Sequence, residues 1–306
     1  MISICIPIYN FNVSLLVEEL SRQAQQYKEE IEIILIDDCS SEEFKSIHRI
    51  SCKNHQYIEL NQNIGRARIR NLFLDYALYN YLLFLDCDSI ITTNDFLLKY
   101  INTIKSSKME VICGGAIYPK DSPSRSKMLR WKYGVIKESQ DAKTRNIKPN
   151  RSFMTNNFLI EKQILSTIRF NEGLKEYGHE DTLFGFELDK KGVIINHIEN
   201  PILHGEIDNN KVFLLKTEKA ILNLIIISNT ESKTITSEVK LLSYYSKLSE
   251  KHLIGLLGFI FQFIKLPIRW SLEMGFVNLT FFDLYKLGVL IQEQRKYNQR
   301  VYENSV

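Results

Sequence analysis

Residues 81–88 read Tyr81-Leu82-Leu83-Phe84-Leu85-Asp86-Cys87-Asp88. An uncharged run of aliphatic and aromatic residues has the length and composition of a strand buried on both faces. Two carboxylates close it. At an extended strand end, residues i and i+2 point the same way. Asp86 and Asp88 therefore face one crevice, and Cys87 points back toward the core. Two carboxylates held together repel each other. A hard divalent cation removes that cost and takes oxygen ligands, substrate phosphates among them. A solvated turn that holds two aspartates is the alternative, and the buried strand before it weighs against that.

The pattern repeats outward. Ile2 to Ile8 is a short apolar strand. Ile31 to Ile36 is another, closed by Asp37-Asp38. Further strands are expected near Tyr57 to Leu60 and over Val111 to Ile117. Helical patterns lie between them at Val13–Gln26, Glu42–Cys52, Gly65–Leu78 and Phe96–Ile104. Short buried strands alternating with helices predict an α/β fold with a mostly parallel sheet covered on both faces. Ligands of such sheets sit outside the carboxyl ends of the strands, where Asp37, Asp38, Asp86 and Asp88 fall.

The 306 residues suffice for one large or two modest domains. A net charge of +3 is too small to argue for nucleic acid. Five cysteines, with no C-x-x-C pair, speak against a disulfide framework or structural zinc and for a reducing cytosol. No secretory signal is expected, because Ile2 to Ile8 already reads as a strand. Leu253 to Ile264 is the longest apolar run, interrupted by Gln262 and expected to stop at Lys265 and Pro267. That is short of the ~18 residues of a membrane span but compatible with an interfacial helix.

Four other places carry chemistry. Asn63-Ile-Gly65-Arg66-Ala-Arg-Ile-Arg70-Asn71 opens a helix on which Arg66 and Arg70 share a face. With the helix N-terminus they make a diphosphate site or, alternatively, a solvated basic face. Gly178-His179-Glu180-Asp181 precedes an apolar helix expected over Thr182 to Leu188. Its acids suit either a helix dipole or a general base. His204-Gly205 lies in a loop, as a structural histidine or a metal ligand. Residues 118–152 hold ten Lys or Arg against three acidic residues, which reads as an acceptor-side loop or a solvated one.

Taken in order, Ile6-Pro-Ile-Tyr-Asn10, Ile36-Asp-Asp-Cys-Ser40, Asn63-x-Gly65 with Arg70-Asn71, Asp86-x-Asp88, Gly114-Gly115, Asn156-Asn157 and Glu180-Asp181 resemble the family 2 glycosyltransferases of the GT-A fold, over roughly residues 1 to 215. The resemblance implies a metal-dependent inverting transfer from a nucleotide sugar, most commonly UDP-linked, to a glycan or lipid-linked acceptor in cell-surface polysaccharide assembly. Tyr9 would lie against the nucleobase and Asp38 would hydrogen-bond it. Asp86 would approach the ribose and diphosphate, and Arg70 would lie near the donor. Pro7, Asn63, Gly65, Arg66 and Cys87 belong to the same donor-binding set. Asp88 and His204 would bind Mn²⁺ or Mg²⁺. Asp181 would be the catalytic base, with Glu180 orienting donor or acceptor. Cys39 replaces the usual Gly, and Gly178-His179 departs from the common pair before the acids.

The expected domains are a glycosyltransferase domain over 1–229, divided into a nucleotide-sugar half (1–117) and an acceptor-side half (118–229), and a helical extension over 230–306. That extension would pack on the domain or touch the inner face of the plasma membrane. Competing classes are a sugar-phosphate nucleotidyltransferase and a non-catalytic nucleotide-sugar-binding scaffold. The first lacks its Gly-rich loop, since Tyr9 to Val13 follows the first strand. A dinucleotide-dependent oxidoreductase fails for want of G-x-G-x-x-G after a strand.

Overall fold

The computed structural model describes residues 1–174, 177–230 and 233–303. Its strands in chain order are β1 (Ile2–Ile8), β2 (Ile31–Asp37), β3 (Gln56–Glu59), β4 (Tyr81–Leu85), β5 (Ser89–Ile90), β6 (Val111–Cys113), β7 (Ala116–Ile117), β8 (Asn157–Glu161), β9 (Ile195–His197) and β10 (Ile202–His204). Seven form one sheet in the order β3-β2-β1-β4-β8-β6-β9, and β5-β10-β7 form a small second sheet. In the large sheet β8 alone runs antiparallel, to β4 and to β6. The α/β, mostly parallel architecture is therefore the one expected.

Side chains alternate across the sheet as the pleat requires. Leu82 and Phe84 face one layer, with Phe73, Phe158, Phe170 and Phe184. Leu83 and Leu85 face the other, with Val17, Leu20, Leu97 and Tyr100. Phe84 stacks on Phe158 with centroids 4.9 Å apart. Truncating a fully buried residue such as Leu83 to Ala would cost about 2–5 kcal/mol in lost transfer energy and cavity.

Several boundaries depart from the sequence reading. The single strand expected over Val111 to Ile117 is two strands in different sheets. Gly114 and Gly115 break it, because Gly115 takes φ +83° and a Cβ on Gly114 would lie 2.5 Å from atoms of Asn157, Asn200 and Tyr100. The helix expected over Gly65–Leu78 spans only Arg66–Leu72 and tightens into a 3₁₀ turn at Phe73–Asp75. That turn drives Phe73 edge-on into Phe84, with centroids 5.6 Å apart. The helix expected from Thr182 starts at Glu180, so both acids lie in its first turn. Pro267 does not end the apolar run. The helix continues over Ile254–Glu273, and Pro267 is exposed, so the missing N–H disturbs only the outer side.

Residues 118–152 are not a solvated loop. They form short helical turns, and the Arg145 guanidinium is buried, donating to the carbonyls of Cys113, Gly114 and Ile198 at 3.2, 3.0 and 2.9 Å.

Packing divides the chain into two units. One comprises Met1–Lys120, Gly134–Gly173 and Glu180–Glu206, and the other Asp121–Tyr133, Leu174–His179 and Ile207–Val306. Helices over Asn210–Thr230, Lys240–Glu250, Ile254–Glu273 and Leu279–Glu303 make up most of the second. Among the described residues, Ile254–Glu273 is the helix long and apolar enough, by length and composition, to cross a membrane.

Candidate active site

All the acidic residues singled out in the sequence belong to the first unit. Strands β1, β2 and β4 are adjacent and parallel, with Ile8 opposite Asp37 and Cys5 opposite Phe84. Their carboxyl ends therefore deliver Tyr9, Asp38 and Asp86 to one edge of the sheet.

At the end of β2, Asp37 is wholly buried. Its Oδ1 accepts the Ser40 N–H at 2.6 Å and its Oδ2 accepts the Tyr57 hydroxyl at 3.0 Å. Burial pushes this carboxyl up, but His48, Ser40 and Tyr57 outweigh it and hold it below the usual carboxylate range. Asp38 accepts the backbone N–H groups of Ile64 at 2.6 Å and Gly65 at 3.0 Å, and Asn63 Nδ2 donates to the Asp38 carbonyl at 3.2 Å. Both readings of this motif must therefore accommodate a loop-fastening role for Asp38. Burial raises its pKa, against those two backbone donors. Gly65 takes φ +83°, which a side chain would strain. Tyr9, directly after β1, is 54% exposed, and Pro7 is half-buried in β1. Asn10 stitches the ends of β1 and β2, donating to Ser40 Oγ and accepting from the Ser41 N–H, both at 2.8 Å.

At the end of β4, Arg70 donates from Nη2 to Asp86 Oδ1 at 3.0 Å. The same guanidinium lies 3.8 Å from Glu180 Oε1, and that of Arg66 lies 3.7 Å from the same oxygen. Arg70 is 2% exposed, whereas Arg66 is 49% exposed. The two arginines thus differ: Arg70 is a buried clamp between carboxylates, and Arg66 reaches the surface. β4 ends at Leu85, and from the turn that follows the Cys87 side chain packs against the core. Burial and the charges of Asp88 and Asp86 push its thiol up to about 12.

Asp181 follows Glu180 at the start of its helix, and Oδ1 accepts the Thr182 N–H at 2.6 Å. Burial, then the negative charge of Glu180, raises its pKa to about 7, against the Thr182 N–H and the charge of Arg70. A carboxylate poised near neutrality has the basicity a general base needs.

Asp88 and His204 meet through the small sheet. Strands β5 and β10 pair antiparallel with His204 opposite Ser89, and the Gly205 N–H donates to the Asp88 carbonyl at 2.9 Å. A Cβ on residue 205 would lie 2.5 Å from that carbonyl, so glycine permits the approach. Nδ1 of His204 is then 2.8 Å from Asp88 Oδ2. Burial pushes Asp88 up, but the bond to His204 and that ring's charge more than offset it and hold Asp88 low. Tyr118 was not singled out in the sequence. Its ring packs edge-on against His204, with centroids 5.0 Å apart, and its hydroxyl donates to Glu138. Its only signal was its place just beyond β7, the strand beside β10.

This arrangement, on a parallel sheet with one reversed strand, defines an enzyme of the glycosyltransferase class with the GT-A fold. Within that class the chain belongs to glycosyltransferase family 2, whose profile, "Glycosyl transferase family 2", matches residues 3–181. Over 277 residues it is 27% identical to the GalNAc(5)-diNAcBac-PP-undecaprenol beta-1,3-glucosyltransferase of Campylobacter jejuni, covering 82% of this chain and 84% of that one. Over 237 residues it is 25% identical to the chondroitin synthase of Escherichia coli, covering 66% of this chain. It spans only 34% of the length of that larger relative. Among solved structures, the mannosyltransferase PcManGT of Pyrobaculum calidifontis, in complex with GDP-Man and Mn²⁺, superposes with a TM-score of 0.57 at 11% identity, over 97% of this chain and 86% of that one.

Proposed function

We propose that the enzyme transfers a sugar, with inversion, from a UDP-linked donor to a hydroxyl of a glycan or lipid-linked acceptor. The observation that carries this reading is the Asp86–Arg70–Glu180 bridge. It joins the acidic end of β4 to the helix turn that bears Asp181. One buried guanidinium thereby links the donor-side Asp86 to Glu180, the residue before the proposed base. The uridine nucleotide and a role in polysaccharide assembly rest on the family resemblance, the latter also on the two relatives' names. Five unpaired thiols support a cytoplasmic site of action.

In this reading Pro7, Tyr9, Asp38, Asn63 and Gly65 form the nucleoside side of the donor site, with the backbone at Cys87 beside it. Arg66 faces the leaving diphosphate, and Arg70 holds Asp86 and Glu180 in place. The Asp181 carboxylate takes the proton of an acceptor hydroxyl. The oxygen so freed attacks the anomeric carbon from the side opposite the diphosphate. The bond from that carbon to the diphosphate oxygen breaks, and configuration inverts. Glu180, tied to both arginines, orients the base.

Asp88 and His204 fit a divalent ion. Adjacent ligands of an octahedral Mg²⁺ at ~2.1 Å lie about 3 Å apart, and their atoms are 2.8 Å apart. Among the described residues no cluster of three or more such side chains is present. The other ligands would therefore be phosphate oxygens and water, as suits Mg²⁺ and Mn²⁺ sites. A bound ion would supply Lewis-acid stabilisation of the departing diphosphate.

The test is Asp181→Asn. It should bind UDP with Mn²⁺ as the wild type does and lose sugar transfer. Transfer at the wild-type rate would remove the base assignment. Formation of a nucleotide sugar from a sugar phosphate and a nucleoside triphosphate would favour the nucleotidyltransferase reading.

A further inference from the structure

The helix Ile254–Glu273 in the second unit is amphipathic with its sides exchanged. Leu256, Phe259, Ile260, Phe263, Leu266 and Trp270 fall within one arc of about 120° at 100° per residue, and they are 42–72% exposed. Gly258, Phe261 and Leu272 on the opposite side are buried. The two cations of the helix also lie on that inner side. Lys265 donates to Gln292 at 3.1 Å, and Arg269 donates to Glu218 at 2.7 Å and to Glu273 at 2.8 Å. The Phe261 ring sits so close to Gly288 that a Cβ there would lie 2.2 Å away. The inner side is therefore committed to helices Leu279–Glu303 and Asn210–Thr230, and the outer side is an uninterrupted apolar strip. A strip of aromatic and aliphatic side chains of this kind marks an interaction surface.

Charge says what covers it. The one acidic side chain of the helix, Glu273, is paired with Arg269, and residues 254–272 contain none. At one end of the strip Trp270 meets Phe276, with centroids 6.5 Å apart, and Arg125 lies over Phe276 at 5.7 Å. Lys127 is exposed nearby in sequence, and Lys251 and His252 are exposed just before the other end. Trp at the rim of an apolar face, with cations beside it, suits the boundary between acyl chains and phosphate headgroups. Exposure on one side only suits a helix lying in that boundary rather than crossing it.

We propose that the outer face of Ile254–Glu273 docks on an anionic lipid surface, its apolar strip among the acyl chains and Arg125 and Lys127 against headgroup phosphates. This stands independently of the transfer chemistry, and its test reads binding alone. The full-length protein is floated with vesicles of phosphatidylcholine, or of phosphatidylcholine mixed with phosphatidylglycerol. The wild type should float with the mixed vesicles and less with the neutral ones, and added salt should weaken the difference. Phe263→Glu with Leu266→Glu should leave the protein at the bottom with its melting temperature unchanged, because both side chains are exposed. Arg125→Glu with Lys127→Glu should remove only the preference for the anionic lipid. Wild type that stays at the bottom with both vesicles overturns the proposal, as does a Phe263→Glu/Leu266→Glu variant that floats normally. A wild-type dimer by light scattering that the same pair converts to monomer would assign the face to a second copy instead.

Discussion

Arg70 donates to Asp86 across 3.0 Å from a side chain that is only 2% exposed. A buried cation in this position is costly unless its carboxylates stay in place, and the carboxylates need it equally. Arg70→Ala would leave Glu180, 7% exposed, without its buried partner. The loss expected on breaking a buried pair is about 3 kcal/mol, readable as a lower urea midpoint at an unchanged slope. Arg70→Lys should recover part of it, since a point charge cannot reach two carboxylates as a fork does. Equal stability of wild type and Arg70→Ala would show that the pair is not structural.

Asp181 makes stability depend on pH with a defined sign. Its folded pKa, raised to about 7, lies above the unfolded value. The folded state therefore holds more protons in the interval, and stability falls as pH rises from about 4 to about 7. Asp181→Asn removes that loss. Its melting point should exceed that of the wild type at pH 8 and approach it at pH 5. A melting-point difference independent of pH would contradict the shift. In the same window, kcat/KM of the wild type should rise with pH toward a plateau above about 7.

Tyr118 orients His204 without touching a ligand in this account. Tyr118→Ala should weaken Mn²⁺ binding by roughly ten- to a hundredfold, as loss of a supporting contact does at metal sites. Tyr118→Phe keeps the ring and should lose far less. Titration of bound Mn²⁺ by electron paramagnetic resonance separates the two. An effect of Tyr118→Phe equal to that of Tyr118→Ala would move the role from the ring to the hydroxyl bonded to Glu138.

Gly114→Ala should destabilise the first unit by about 1–3 kcal/mol through overpacking. The added methyl group would lie 2.5 Å from Asn157 Nδ2, the Asn200 carbonyl and the Tyr100 hydroxyl. Thermal denaturation checks this, and an unchanged melting point would mean that the three neighbours yield freely.

What could be read from the sequence was local. β1 and β4 have the bounds expected because each is an apolar run closed by residues that cannot continue it. Asp86 and Asp88 follow the strand as expected, but β4 ends at Leu85 and a turn closed by the Ser89 N–H on the Asp86 carbonyl at 3.0 Å carries Cys87 and Asp88, so Asp86 meets Arg70 and Asp88 meets His204. The reading failed where distant residues decide. Gly114-Gly115 looked like part of a strand until Asn157, Asn200 and Tyr100 were found against it. The sequence pairs Arg70 with Arg66 as a diphosphate site or a basic face, but its partners Asp86 and Glu180 lie on other segments. Pro267 looked like a stop, yet packing of Phe261 and Leu272 on the inner side carries the helix past it. Asp88 and His204 were both named from their motifs, but their contact depends on the β5–β10 register, which no local pattern encodes.

In the proposed function Asp88, with His204, holds a cation that in turn holds a nucleoside diphosphate. Calorimetric titration of UDP into the wild type and into Asp88→Ala, each with and without Mn²⁺, tests it most directly. The wild type should bind UDP tightly only with Mn²⁺, and Asp88→Ala should bind it weakly whether or not Mn²⁺ is added. Equal, metal-enhanced binding by both proteins would contradict the account.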